Sequence, residues 1–204
     1  MRRPLPPQYS VVLQRRIADP EPPMKLVRIM PPGTLSGATN DDPFDLLEAC
    51  HERVERMLRL LEKLRIHAGQ NGIDGQAADA ARDIMRYFDK AAPEHHRDEE
   101  LHIFPLVRAH GNDTARAVVD RLEREHRLMV SGWQEARIIL ADTVSPRSAG
   151  FSTTEEACLD AFAALYHGHR ITEEDLIYPS AKTLLTPRER AAMAGEMMER
   201  RGVR

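Results

Sequence analysis

At 204 residues the chain is long enough for one domain with a full core, and few aromatics (5%) with 30% charged residues favour helices over sheet. The net charge of −3 is unevenly spread: residues 1–40 carry six Lys/Arg and two Asp/Glu, so +4, which leaves −7 on the remainder and argues against nucleic acid, whose binders carry a basic face on the folded domain. Two distant cysteines, Cys50 and Cys158, and no long apolar run exclude a disulfide framework, a zinc finger, a signal peptide and a membrane span, and point to a reducing, cytoplasmic setting.

Residues 1–42 read as a proline-rich, weakly basic tail. Eight of the fourteen prolines fall within the first 32 residues, and proline's missing amide prevents a long helix there. Two apolar patches, Val11 to Leu13 and Leu26 to Met30, leave three roles open: docking on the domain, docking on a second subunit in a homodimer, or a mobile arm.

From Asp45 the apolar period becomes helical: Leu47, His51, Val54, Leu58, Leu61 and Arg65 form one stripe. Asp41 or Asp42 with Pro43 marks the start, and Gly69 to Gly75 the stop. A second helix is predicted from about Gln76, with Ala80, Ile84, Tyr87 and Phe88 as its apolar face, and Pro93 should kink or break it. Gly111-Asn112 ends that arm, and Asp113 or Thr114 caps a third helix striped by Val119, Leu122, His126, Met129 and Trp133. Thr143 to Ser152, with Pro146 and Gly150, reads as a loop. A fourth helix then carries Cys158, Phe162, Leu165, His169, Glu173 and Leu176. Thr186-Pro187-Arg188-Glu189 starts a short fifth helix ending near Arg200, with Met193, Met197 and Met198 as its apolar residues. The expected fold is all-α: an up-down-up-down four-helix bundle over 43–185, followed by a C-terminal helix over 186–204.

One phrase occurs twice. His95-His96-Arg97-Asp98-Glu99-Glu100-Leu101-His102-Ile103-Phe104-Pro105 is echoed by His169-Arg170-Ile171-Thr172-Glu173-Glu174-Asp175-Leu176-Ile177-Tyr178-Pro179. A lone histidine precedes each copy at nearly the same distance, His51 before the first and His126 before the second. Residues four apart on a helix lie about 40° apart in azimuth, so His95 pairs with Glu99 and His169 with Glu173 on one face. His51 and His126 sit in apolar stripes and must point inward. Burying two carboxylates without cations would cost several kcal/mol each, so the set reads as a metal site rather than a dry core. Four imidazoles and two carboxylates suit Fe, Mn or Zn better than Ca or Mg. The expectation is two irons bridged by Glu99 and Glu173, each also held by two of the histidines His51, His95, His126 and His169, with Mn or Zn as substitutes.

On these residues, over roughly 43–183, the chain resembles the hemerythrin-like, HHE cation-binding family. The resemblance implies a four-helix bundle with a non-haem di-iron centre and oxo and carboxylate bridges. It places the ligand histidines at His51, His95, His126 and His169 and the bridging glutamates at Glu99 and Glu173. Oxygen carriers of this kind have a fifth histidine one turn from that of the third helix, where this chain has Leu122 or Val130. The four-His, two-Glu set instead resembles the branch implicated in repair of iron centres and in nitric oxide or peroxide responses, although the repair proteins carry a cysteine-containing N-terminal region that this chain lacks. Two functions follow: binding or sensing of oxygen, nitric oxide or iron without turnover, or a redox role in stress defence or iron-centre repair, with the first favoured.

The remaining candidates are expected outside the ligand set. His102, two turns beyond His95, is read as a second-layer residue before an extra ligand. His96 and His167 point away from the paired face, solvated or at helix edges, His67 and His110 fall at helix ends, and Glu100 and Glu174, about 100° around the helix from the bridging positions, are read as surface or second-layer residues. Tyr178 is read as packing before a hydroxyl near the centre, Cys158 as a small core hydrophobe before a redox thiol, and Cys50 as a helix-interface residue.

Overall fold

The computed structural model describes residues 42–145 and 149–202. The tail patches at Val11 to Leu13 and Leu26 to Met30, and loop residue Pro146, lie outside the described residues.

The helices begin where short polar side chains can take up orphan amides. Asp42 accepts from the Phe44 amide at 2.9 Å and opens α1 (Pro43–Asn71), which Gly72 terminates with a positive φ of 75°. Asp74 caps α2 (Gly75–Phe88). A two-residue turn at Asp89 and Lys90 separates α2 from α3 (Ala91–Asp98), so the break precedes Pro93. Pro93 sits instead in the first turn of α3, where its missing amide would have had no intrahelical partner.

A single π-helical turn, Glu99–Ile103, leads from α3 into α4 (Phe104–His110). Asn112, rather than Asp113 or Thr114, caps α5 (Asp113–Asp142) by accepting from the Ala115 amide at 2.8 Å. A Ser152/Glu155 capping box starts α6 (Thr153–Thr172). That helix passes through a second π turn, Glu173–Ile177, into α7 (Tyr178–Leu184). A Thr186/Glu189 capping box starts α8 (Pro187–Arg200).

The architecture is the all-α bundle read from the sequence. Helices α1, α2 with α3, α5, and α6 with α7 form its four walls, and α8 lies across α1. Its core divides into two apolar clusters. One gathers Leu61, Leu64, Ile84, Phe88, Met129, Leu140, Phe162 and Tyr166, with Phe88 and Phe162 edge to face at 5.1 Å. The other gathers Phe44, Leu47, Ile103, Phe104, Val119, Leu122, Ile177 and Tyr178.

Along each wall the His or Glu positions fall between members of the two clusters. His51 stands between Leu47 and Val54, His126 between Leu122 and Met129, and His169 between Tyr166 and Ile177. A buried polar layer is therefore sealed on both sides by hydrocarbon.

Two stripe residues fall off the core. Arg65 turns out to bind Glu156 and Asp160, and Cys158 is half-buried beside Glu135 while Leu159 takes the inward place. Met197 is buried against Leu46, so the methionines of α8 are packing residues.

Phe88→Ala should lower the unfolding free energy by about 3–5 kcal/mol, since Phe88 is fully buried among four aromatic rings. Urea unfolding of chelator-treated protein measures this, and a loss under about 1 kcal/mol would place Phe88 outside the true core.

Candidate metal centre

The six residues singled out by the repeat converge in the polar layer. His51, His95, His126 and His169 are each at most 5% exposed, and Glu99 and Glu173 are fully buried. His51, His95, Glu99 and Glu173 each offer one ligand atom, and these atoms all lie within 4.8 Å of one another. His126, His169 and Glu173 form a second such group that shares Glu173.

All four histidines turn Nε2 inward. His51 Nε2 lies 3.2 Å from Glu173 Oε2, and His169 Nε2 lies 2.8 Å from Glu173 Oε1. His95 and His126 place Nε2 at 3.6 and 3.5 Å from Glu99 Oε2. None of these approaches is aligned as a hydrogen bond to Glu99 Oε2 or to either Glu173 oxygen, so three buried carboxylate oxygens are left without a hydrogen-bond partner.

The outward nitrogens explain the orientation. An ionised carboxylate only accepts, so a ring nitrogen facing one must carry the proton. His51 Nδ1 donates to Glu174 at 2.9 Å, His126 Nδ1 to Glu100 at 2.8 Å, and His169 Nδ1 to Glu125 at 2.8 Å. Arg170 Nη1 in turn donates to both oxygens of Glu174, at 2.9 and 2.8 Å.

With Nδ1 protonated, a neutral ring presents its Nε2 lone pair to the interior, the form that a metal requires. His126 and His169 bring these nitrogens to 3.1 Å from each other. Two lone pairs and three unpartnered carboxylate oxygens in a dry pocket need a cation or shared protons between them. The donor set therefore fits a metal.

Without a metal the layer is balanced by protons: burial acts to lower His126, but the carboxylates of Glu100 and Glu173 outweigh it and raise that imidazole above its ordinary value. Burial, then the neighbouring Glu173 carboxylate, pushes Glu99 well above the usual carboxylate range. Burial also acts to raise Glu173, but the imidazoles of His169, His126 and His51 outweigh it and hold that group well below. Burial and the nearby His51 keep His95 neutral far below its ordinary value, as a ligand imidazole must be. Of the two carboxylates, Glu99 is the one whose surroundings favour a proton and Glu173 the one whose surroundings favour the charge.

Several residues lie elsewhere than the sequence implies. His96 is buried, stacked on His126 with ring centroids 3.9 Å apart, rather than at a solvated edge. His102 leaves the centre and meets Glu196 of α8 at 2.6 Å. Leu176 is 37% exposed while Ile177 is buried.

The last two shifts have one cause. A π turn inserts one extra residue, so positions are rotated progressively through it, by about 100° at its end, from where a continuous α-helix would put them. Tyr178 packs on Phe44 and also donates its hydroxyl to Glu99 Oε1 at 2.5 Å. Glu100 and Glu174 hold ring nitrogens of His126 and His51. Glu125 does the same for His169, a role visible in the sequence only as an acid beside an inward histidine. Cys50 is buried on α1 where Tyr87 reaches its carbonyl, and His67 bonds Asp74 between α1 and α2.

Comparison with known proteins agrees with this geometry. Residues 42–190 match the family described as Hemerythrin HHE cation binding domain. A protein of Haemophilus influenzae, described as "Uncharacterized protein", is 30% identical over 139 residues, which cover 68% of this chain and 78% of that protein.

The raised Glu99 carboxyl sets a pH test. A carboxyl whose folded value is raised binds a proton more tightly folded than unfolded, so it withdraws stability as pH climbs above the ordinary glutamate value of about 4.3. Glu99→Gln keeps the neutral shape and removes the titration. Its advantage over the wild type in metal-free urea unfolding should therefore grow from pH 5 to pH 8. A difference that stays constant across that range would reject the assignment of the proton to Glu99.

Proposed function

This chain belongs to the hemerythrin HHE cation-binding family, and on that footing we propose that it holds two iron ions at a four-His, two-Glu centre and uses them to bind or sense a small ligand: oxygen, nitric oxide or iron itself. The observation that carries this reading is the pair of ligand groups joined at Glu173, whose carboxylate has both oxygens buried and without hydrogen bonds. His51 and His95 would hold one ion and His126 and His169 the other, with Glu99 and Glu173 between them. When bound, the ions would supply coordination positions for the small ligand and a one-electron change of charge.

The protein's own residues set the conditions for that chemistry. The outward carboxylates Glu174, Glu100 and Glu125 fix three imidazoles with Nε2 inward and make them stronger donors. The apolar clusters pack against the layer on either side along the bundle. Nitrogen and carboxylate donors together favour iron, manganese or zinc over calcium and magnesium.

A second reading has one observation in its favour. The Tyr178 hydroxyl, bonded to Glu99, places a transferable proton beside the centre. A redox-active protein of stress defence or iron-centre repair, acting on peroxide or nitric oxide, would use such a group.

Metal analysis after anaerobic iron loading should find two irons per chain in the wild type. His95→Ala and Glu173→Ala should each lose iron, Glu173→Ala the more, and unchanged iron content in both would end the proposal. Stopped-flow spectroscopy of the reduced protein with oxygen, nitric oxide and peroxide then separates the two readings. A reversible, stable spectral change supports binding, whereas consumption of the added molecule supports turnover.

A further inference from the structure

The two copies of the repeated phrase differ in what supports them from outside the bundle. Asp98, the residue before Glu99, is fully buried on α3. Both of its oxygens are taken by α8: Arg200 Nη2 donates to Oδ1 and Arg201 Nη2 to Oδ2. Arg200 also donates to Glu94 Oε2 at 3.1 Å, one turn earlier on α3. Beyond Glu99, His102 inside the π turn meets Glu196 Oε2 at 2.6 Å, and Arg200 Nε binds the other Glu196 oxygen at 3.0 Å.

The end of α8 therefore grips the first π turn on both sides of Glu99, through Glu94 and Asp98 before it and His102 after it. Met197 and Ala194 fasten α8 to Leu46 on α1. The counterpart of Asp98 in the second copy is Thr172, which caps back onto its own helix at Gly168 and takes a donor from Arg121 of α5. Among the described residues, no segment outside the bundle grips the Glu173 turn in this way.

We propose that the C-terminal helix is a clasp that holds the Glu99-bearing π turn in place, with Asp98, Arg200 and Arg201 as positioning residues for the Glu99 carboxylate. A buried carboxylate with each oxygen taken by a different guanidinium is held rigidly, because two charge-assisted donors from separate side chains fix its direction as well as its distance. Glu99 is the next residue along the backbone, so any slack in Asp98 passes directly to it. The consequence for metal binding rests on the di-iron reading above; the mechanical consequence does not.

The test uses the full chain in two arms. In the first, hydrogen exchange of chelator-treated protein compares wild type with Arg200→Gln/Arg201→Gln. Amides of residues 99–104 should lose about tenfold or more in protection, while those of 173–178 stay as in the wild type, because local openings differ in free energy across one fold. Equal loss at both turns, or none at either, would overturn the clasp. Leu64→Ala, in the far apolar cluster, is the control for general destabilisation and should not single out 99–104.

In the second arm, cobalt(II) is titrated against a competing chelator. The double variant should bind about 10–100-fold more weakly, the usual cost of removing a group that orients a ligand. Cobalt affinity equal to that of wild type, despite loosened amides, would overturn the positioning of Glu99. A wild type that takes no cobalt would sink the metal reading, and the exchange arm alone would then decide the clasp. If the double variant does not fold, Arg201→Gln and Glu196→Gln taken singly give the same two readouts at smaller amplitude.

Discussion

Two carboxylates lie fully buried in this bundle with three of their four oxygens unbonded, and most of the surrounding structure answers that fact. An isolated buried carboxylate is among the most costly groups a core can hold. The protein surrounds the pair with four imidazoles, three of them turned by outer carboxylates so that the neutral ring aims a lone pair, not a donor, inward. That choice raises the electrostatic demand further, and it is sensible only if cations complete the layer. The outward carboxylates Glu100, Glu125 and Glu174 enforce it by holding the imidazole protons on the far side.

The π turns give the layer its geometry. In each copy the aromatic residue after the turn donates its amide five residues back, Phe104 to Glu99 and Tyr178 to Glu173. Proline follows at once, at Pro105 and Pro179. A proline amide cannot bond the carbonyl four residues earlier, and its ring would crowd that carbonyl in a regular helix. A wider turn relieves the crowding and leaves the following helix rotated, so that Ile103 and Ile177 fill the lower cluster. The same rotation brings Tyr178 over Glu99 and His51 and sends His102 out toward α8.

This explains which parts were legible in the sequence. The bundle, its starts at Asp42 and Thr186, and the convergence of His51, His95, His126 and His169 with Glu99 and Glu173 follow from a 3.6-residue period and short polar caps, both local rules. The places of His102 and Leu176 required knowing that the period changes at the Glu-Glu pair. The doubled proline held that information, but a helix-breaking reading of proline stops one step short of a π turn. His96 escaped for another reason: its neighbour on the stacked face is His126, about thirty residues away, and no periodicity within one helix records such a contact. Cys158 and Arg65 were misplaced by about one residue of helical phase, because each stripe is wide enough to admit two alignments.

The near-twofold repeat is thus not a twofold site. His51, His126 and His169 are oriented by outer carboxylates, while His95 Nδ1 is buried without a hydrogen-bond partner and its ring is held by packing against His51 at 4.6 Å. Glu173 is surrounded by three imidazoles that favour its ionised form; Glu99 receives a phenol and is pushed by burial toward its protonated form. Asp98 and α8 brace one copy, and the other has only the bundle itself. Two halves that began from one phrase have therefore been given different basicity and different stiffness. The half with the less basic surroundings, the protonatable carboxylate and the outside brace is the half built around His95 and Glu99. On the proposed di-iron reading, a site whose halves differ in this way would have Glu173 serve both ligand groups, while the grip of the His95 half would depend on how firmly Glu99 is held.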